Sequence, residues 1–196
     1  LGDVYKRQVW SHPGSPRHRP GIPGVSLGRN VCNTLKFFLR EVTIRMEIRP
    51  YTQADWPWIA AAHDAARKLE LHLAGLDDAF LPLAEAAERE GLFDYTILVA
   101  ADTEVMGFVA FTEEELAWLY VNPVHHRKGI GRALAQAALS QMGPGPLSVE
   151  VLAGNVPALT LYRSLGFTQE EIVHGHMPGN EAFPVTVHCL TTPEET

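Results

Sequence analysis

Two glycines and three strong cations are crowded into His126-Arg127-Lys128-Gly129-Ile130-Gly131-Arg132. Side chains of these types at this spacing can hold phosphate. The preceding residues, Glu115 to Val121, are rich in apolar and aromatic side chains and read as a strand that Pro123 breaks. A helix is expected from near Gly129 to about Gln141. Ile130, Ala133, Leu134, Ala137 and Ala138 give it one apolar face. The start of a helix leaves backbone N–H groups unpaired, glycine lets a ligand come close to them, and Lys128 and Arg132 add positive charge. The segment lacks the Gly-Lys-Ser/Thr ending of a Walker loop. Leu134 at the third small position, and the residues between strand and glycines, count against a tight dinucleotide-binding turn. A closely packed turn with solvated cations is the competing reading.

Other residues could also do chemistry. Asn155, with Pro157 two residues on, has the spacing of a helix cap. Tyr162 lies four residues after Ala158 and three before Leu165, so it shares their helix face, and burial there as a packing residue would explain it. Glu115 follows Glu113 and Glu114, and three acids in a turn usually mark a solvated turn. His125 and His174 have an intrinsic pKa close to neutrality, as a general base needs. Cys32 and Cys189 form neither a disulfide framework nor a metal motif. Cys189, in an alternating apolar run, reads as a small buried hydrophobe. Trp56, Trp58, Phe80 and Phe93 read as packing residues, with a substrate slot as the alternative.

The elements that must position these residues begin with an alternating strand, Val42 to Arg49. Thr52-Gln-Ala-Asp55 resembles a capping box and starts a helix to about Lys68. Glu70 to Leu76 fits helix or loop equally. A second helix is expected from Ala79 to Glu90, capped by Asp77 or Asp78, with Pro82 in its first turn and Gly91 ending it. Tyr95 to Ala101, Val105 to Thr112 and Glu115 to Val121, joined by short acidic turns, predict an antiparallel meander. After the glycine-led helix come a strand at Leu147 to Leu152 and a short helix from Asn155 that Gly166 ends. A last strand pair, Thr168 to His176 and Pro184 to Thr191, is joined through Pro178-Gly-Asn180. These elements predict an α/β (α+β) fold, with a mixed, mostly antiparallel central sheet and flanking helices.

The chain of 196 residues has a net charge of −7 that hides an asymmetry. Residues 1–45 hold 8 Lys/Arg and 2 Asp/Glu, whereas residues 46–196 hold 8 Lys/Arg and 21 Asp/Glu. So acidic a domain argues against a nucleic-acid surface and suits a cationic substrate or plain solubility. Residues 1–43, crowded with Pro, Gly, Ser and Arg between 11 and 30, are expected to be a disordered or non-native extension before a domain at 44–196. No apolar run is long enough to span a membrane and no signal peptide is legible, so a cytoplasmic protein without membrane contact is expected. A homodimer is compatible with the sequence.

From Met46 to Thr191 the chain resembles the GCN5-related N-acetyltransferase (GNAT) family. Three motifs carry the resemblance: Leu119-Tyr-Val-x-Pro123, then His126-Arg-Lys-Gly-Ile-Gly131, then Asn155-x-Pro-Ala-x-x-Leu-Tyr-x-x-Leu-Gly-Phe167. The element order matches as well. His126 departs from the Gln or Arg usual there, which implies a weaker phosphate grip. The resemblance implies transfer of an acetyl group from acetyl-CoA, as co-substrate and without a metal, to a primary amine of a small molecule or peptide by direct attack. A CoA-binding regulatory module without turnover is the alternative. It implies a cofactor site made by Leu119, Tyr120 and Val121 for the pantetheine arm, by His126, Arg127, Lys128, Gly129, Ile130, Gly131 and Arg132 for the pyrophosphate, and by Asn155. It further implies Tyr162 as the acid that protonates the departing thiolate and Glu115 as the base.

Overall fold

The computed structural model describes residues 46–193. The expected extension at residues 1–43, and the first four residues of the expected first strand, lie outside them.

Strand β1 (Glu47–Pro50) is followed by a capping box in which Thr52 and Asp55 serve each other's backbone, and then by helix α1 (Trp56–Ala74). Helix α1 runs about one and a half turns beyond the expected end at Lys68. Glu70 and Leu71 are buried, and Gly75 stops the helix in the left-handed conformation, φ 70°. The second helix is shorter than expected. Asp77–Ala79 form a separate single turn, Pro82 stands before the helix, and α2 spans Leu83–Arg89. Proline supplies no N–H and fixes an extended residue ahead of it, so the chain breaks there.

Strands β2 (Thr96–Ala101), β3 (Val105–Phe111) and β4 (Leu116–Val121) form the expected meander, and β1 pairs antiparallel with β2. Helix α3 (Ile130–Leu139), β5 (Ser148–Leu152), α4 (Val156–Arg163), β6 (Gln169–Met177) and β7 (Asn180–Thr191) complete the order. Strand β7 starts earlier than expected, which tightens the β6–β7 turn to Pro178-Gly179.

The expected mixed, mostly antiparallel sheet is built in two parts. Two antiparallel sheets form, ordered β1-β2-β3-β4 and β5-β7-β6. They meet at one parallel bridge, Glu115 to Ser148. Ser148 N donates to Glu114 O and Gly143 N to Glu113 O, each at 2.8 Å. Among the described residues no further pairing joins β4 to β5, so the two strands part beyond this point.

Both faces of β4 are buried. Leu119 and Val121 pack with α3, α4 and β5, while Trp118 and Tyr120 pack beneath α1 and α2. Each such side chain contributes about 1.5–3 kcal/mol by leaving water. Helices cover both faces of β4, and beyond Glu115 its outer edge pairs with no further strand among the described residues. None of the helices described is long and apolar enough to cross a membrane.

Candidate functional site

The backbone of β4 alternates between its two edges. Asn122 N donates to Met106 O of β3 at 2.9 Å. Residues one and three positions earlier, Val121 and Leu119, therefore turn their N–H and C=O groups away from β3, toward the gap that opens between β4 and β5. The His126 ring confirms this direction. Its Nε2–H donates to Val121 O at 2.9 Å. An exposed strand edge of this kind can be satisfied by an extended ligand carrying amides.

A groove of about 500 Å³ begins at this edge. Leu119 and Val121 form its floor, and His125, His126 and Arg127 border one side. The first residues of α3, Gly129 to Arg132, face α4, which presents Val156, Pro157, Thr160, Leu161 and Ser164.

The loop into α3 is tightly shaped. Arg127, with φ 65°, and Gly129, with φ 81°, both adopt the left-handed conformation. For a bulky residue such as Arg127 that conformation is strained, and strain of this sort gathers at functional sites. No side chain caps α3 and no acid lies in its first turn. The N–H groups of that turn and the positive end of the helix dipole therefore face the groove.

The two glycines have different reasons. At Gly129 a Cβ would meet nothing within 4 Å, so the backbone angle alone demands glycine. Gly129→Ala is expected to cost about 1 kcal/mol of stability, read by chemical denaturation. Gly131 is not left-handed, and a Cβ there would make ordinary contacts, 3.7 Å to Val121 and 4.0 Å to Leu161. The fold would accept a side chain at Gly131, so the space it leaves serves the groove.

Charge is concentrated here against the background of an acidic domain. Three of the eight Lys/Arg in residues 46–196 lie between 127 and 132. Arg49, Arg67, Arg89 and Arg163 each meet a carboxylate. Arg132 instead donates to Ser164 Oγ at 2.7 Å, across the groove, and Lys128 Nζ donates to His125 Nδ1 at 3.4 Å. His125 in turn donates from Nε2 to Glu104 Oε1 at 3.0 Å. Neither Arg132 nor Lys128 meets a carboxylate directly, so their charge is placed to attract an anion in the groove.

The residues expected from the sequence divide into two groups. Leu119, Val121, His126, Arg127, Gly129, Ile130, Gly131 and Arg132 come together in the groove lining. Lys128 stands exposed at its margin. Tyr120 lies on the opposite face of β4, 4.7 Å from the His63 ring and 5.9 Å from Phe108. Asn155 is buried away from the lining. It caps α4 by accepting from Ala158 N at 3.2 Å and donates to Glu70 Oε1 of α1 at 2.8 Å.

Tyr162 is fully buried and packs edge-on against Phe167, centroids 5.8 Å apart, behind the wall that its neighbour Leu161 gives to the groove. Glu115 stands at the closed end of β4, roughly 20 Å along the strand from Val121. Tyr95 OH donates to its Oε2 at 3.4 Å. Burial, and then the Glu115 charge, push the Tyr95 hydroxyl up to about 12. His174 is exposed on β6, against Thr186. Cys189 is half-buried, its thiol 3.5 Å from Glu150 Oε1.

Thr160 and Ser164 in the lining were not anticipated. Their i, i+4 spacing, continued back to Val156, marks the groove face of α4 and is the signal that could have found them.

Residues 93–169 match the family model described as an acetyltransferase (GNAT) domain. A [ribosomal protein bS18]-alanine N-acetyltransferase from Escherichia coli strain K12 is 36% identical over 73 residues, covering 36% of this chain and 49% of that enzyme. The chain spans between 30% and 59% of the length of the curated relatives it matches. Among solved structures, a GCN5-related N-acetyltransferase from Rhodopseudomonas palustris superposes with a TM-score of 0.62 at 19% identity, over 74% of this chain and 94% of that one. The ribosomal-protein-S18-alanine N-acetyltransferase of Escherichia coli gives 0.56 at 24% identity, over 77% and 95%.

Proposed function

We propose that this chain is a GNAT-family acetyltransferase and moves an acetyl group from acetyl-CoA to a primary amine of a peptide or small molecule by direct attack. The observation that carries this reading is the uncapped, glycine-led start of α3 opening onto a groove beside a β4 edge that no further strand covers among the described residues. In this reading the N–H groups of Ile130 to Arg132 and the charges of Arg127 and Arg132 hold the pyrophosphate. The backbone of Leu119 and Val121 pairs with the pantetheine amides, and an N–H near Val121 polarises the thioester carbonyl. Tyr162 is the acid for the departing thiolate. Lys128 adds charge at the groove margin and Asn155 fixes the start of α4, so both act at a remove.

The second reading is a CoA-binding module without turnover. The full burial of Tyr162 and the remoteness of Glu115 are the observations in its favour.

Thiol release from acetyl-CoA, assayed with a panel of small amines and with a peptide beginning with alanine, separates the two. The peptide comes first because the relatives are named for an alanine of a ribosomal protein. Acetyl transfer predicts amine-dependent thiol release and an acceptor heavier by one acetyl group. CoA binding with no release on any acceptor supports the module.

A further inference from the structure

Across β4 from the groove lies a second recess. His63 and Arg67 of α1, Glu90 beyond α2, Trp118 and Tyr120 of β4, and Met177 line it. Its volume is about 10 Å³, room for no more than one water. The β6–β7 turn closes it: Arg89 Nη1 donates to Gly179 O at 2.8 Å and Asn180 Nδ2 to Ala79 O at 3.2 Å. Tyr120 stands between Leu119 and Val121, so recess and groove occupy opposite sides of one strand.

His63 is 2% exposed, with Nδ1 2.9 Å from Asp64 Oδ1. A carboxylate oxygen accepts, so Nδ1 carries the proton and Nε2 the lone pair. Asp64 is itself fixed by Leu83 N, which donates to the same oxygen at 2.8 Å. No other hydrogen bond reaches the ring from the described residues. The ring packs edge-on to Tyr120 and 5.9 Å from Trp118. A ring with one nitrogen anchored by a carboxylate and the other left to accept has the arrangement of a general base and its orienting acid.

We propose that His63 is the general base for the acceptor amine and that Asp64 is the positioning residue that holds its tautomer. The proposal rests on the acetyl-transfer reading. The acceptor is a slender primary amine that reaches β4 through this recess when the two contacts of the β6–β7 turn part. As the amine nitrogen bonds to the acetyl carbon, its proton passes to His63 Nε2. The C–S bond breaks, the sulfur leaves with the electron pair as thiolate and takes a proton, and the imidazolium returns its own proton to solvent.

The charges around the ring fit this role. Burial pulls the His63 pKa down, Asp64 opposes this, Arg67 lowers it further, and Asp64 and Glu70 raise it by their charge. Glu90 and Tyr120 face the same recess. The net direction is down, so the ring is neutral at neutral pH and ready to accept a proton. Activity that depends on it is retained above that depressed pKa and lost as pH falls through it, below the ordinary histidine value of about 6.5.

The test combines kinetics with a spectrum. His63→Gln is expected to lower kcat about 100-fold or more and to remove the acid limb of the pH profile, with CoA affinity unchanged. Asp64→Asn keeps both hydrogen bonds but loses the charge, so its acid limb moves to lower pH. That variant decides the matter if His63→Gln does not fold. The imidazole ¹⁵N resonances of His63 must report the proton on Nδ1. A proton on Nε2, or a folded His63→Gln with wild-type kcat and pH profile, overturns the proposal while leaving acetyl transfer standing. A wild-type chain that binds CoA but acetylates no amine sinks the acetyl-transfer reading and the base with it.

Discussion

Gly131→Glu is expected to weaken acetyl-CoA binding about 100-fold or more while leaving the protein folded and no less stable. The two effects differ because they act on different things. A glutamate in the first turn of a helix interacts favourably with the dipole and the unpaired N–H groups, worth about 0.3–1 kcal/mol. At Gly131 the fold has room for a Cβ, at 3.7 Å from Val121 and 4.0 Å from Leu161. The same carboxylate would stand in the groove where the phosphates are proposed to lie, blocking their approach and repelling them. Calorimetric titration should show CoA affinity falling about 100-fold or more, which is about 2.7 kcal/mol. Thermal denaturation should show a melting temperature unchanged or raised. A variant that binds CoA as the parent does would place the phosphates elsewhere.

Tyr162→Phe is expected to lower kcat about 100-fold without changing CoA affinity, the signature of a group that acts in the transition state alone. The substitution removes one oxygen and keeps the ring that packs on Phe167, so the core of α4 stays filled. Its value lies in separating two roles that burial makes hard to tell apart. Rate measured at saturating acetyl-CoA, beside the melting temperature, decides between them. A lower melting temperature with unchanged kcat would make Tyr162 a packing residue and remove it from the chemistry.

What the sequence disclosed depended on how local the cause was. The meander β2–β4 and the glycine-led helix were legible because alternation, a proline and two glycines act within a few residues. The cap of α4 was legible for the same reason: Asn155 and Ala158 lie one turn apart. The real length of α1 was not, since burial of Glu70 and Leu71 depends on partners such as Asn155 that are distant in sequence. The break at Pro82 was underread because proline is tolerated in a first turn as readily as ahead of one.

The resemblance implied an open strand edge at Leu119 to Val121, but the parting of β4 from β5 that leaves it open was not legible in either strand. The parting follows from how two sheets meet at Glu115 and Ser148. At the site, backbone groups and fixed charges were readable, since glycines and cations declare them. Side-chain direction was less so. Tyr162 shares the buried face of α4 with Ala158 and Leu159, as its spacing allowed, while Thr160 and Ser164 turn to the groove. The departure at His126 has a structural sequel: its ring turns back onto Val121 O, on the edge that the pantetheine arm is proposed to use.

The most direct test is a crystal structure of the protein with CoA bound. The account predicts the pyrophosphate within hydrogen-bonding distance of the N–H groups of Ile130, Gly131 and Arg132, and the pantetheine arm paired with the backbone of Leu119 and Val121. CoA bound away from the start of α3, or a β4 edge left unpaired by it, would contradict the account.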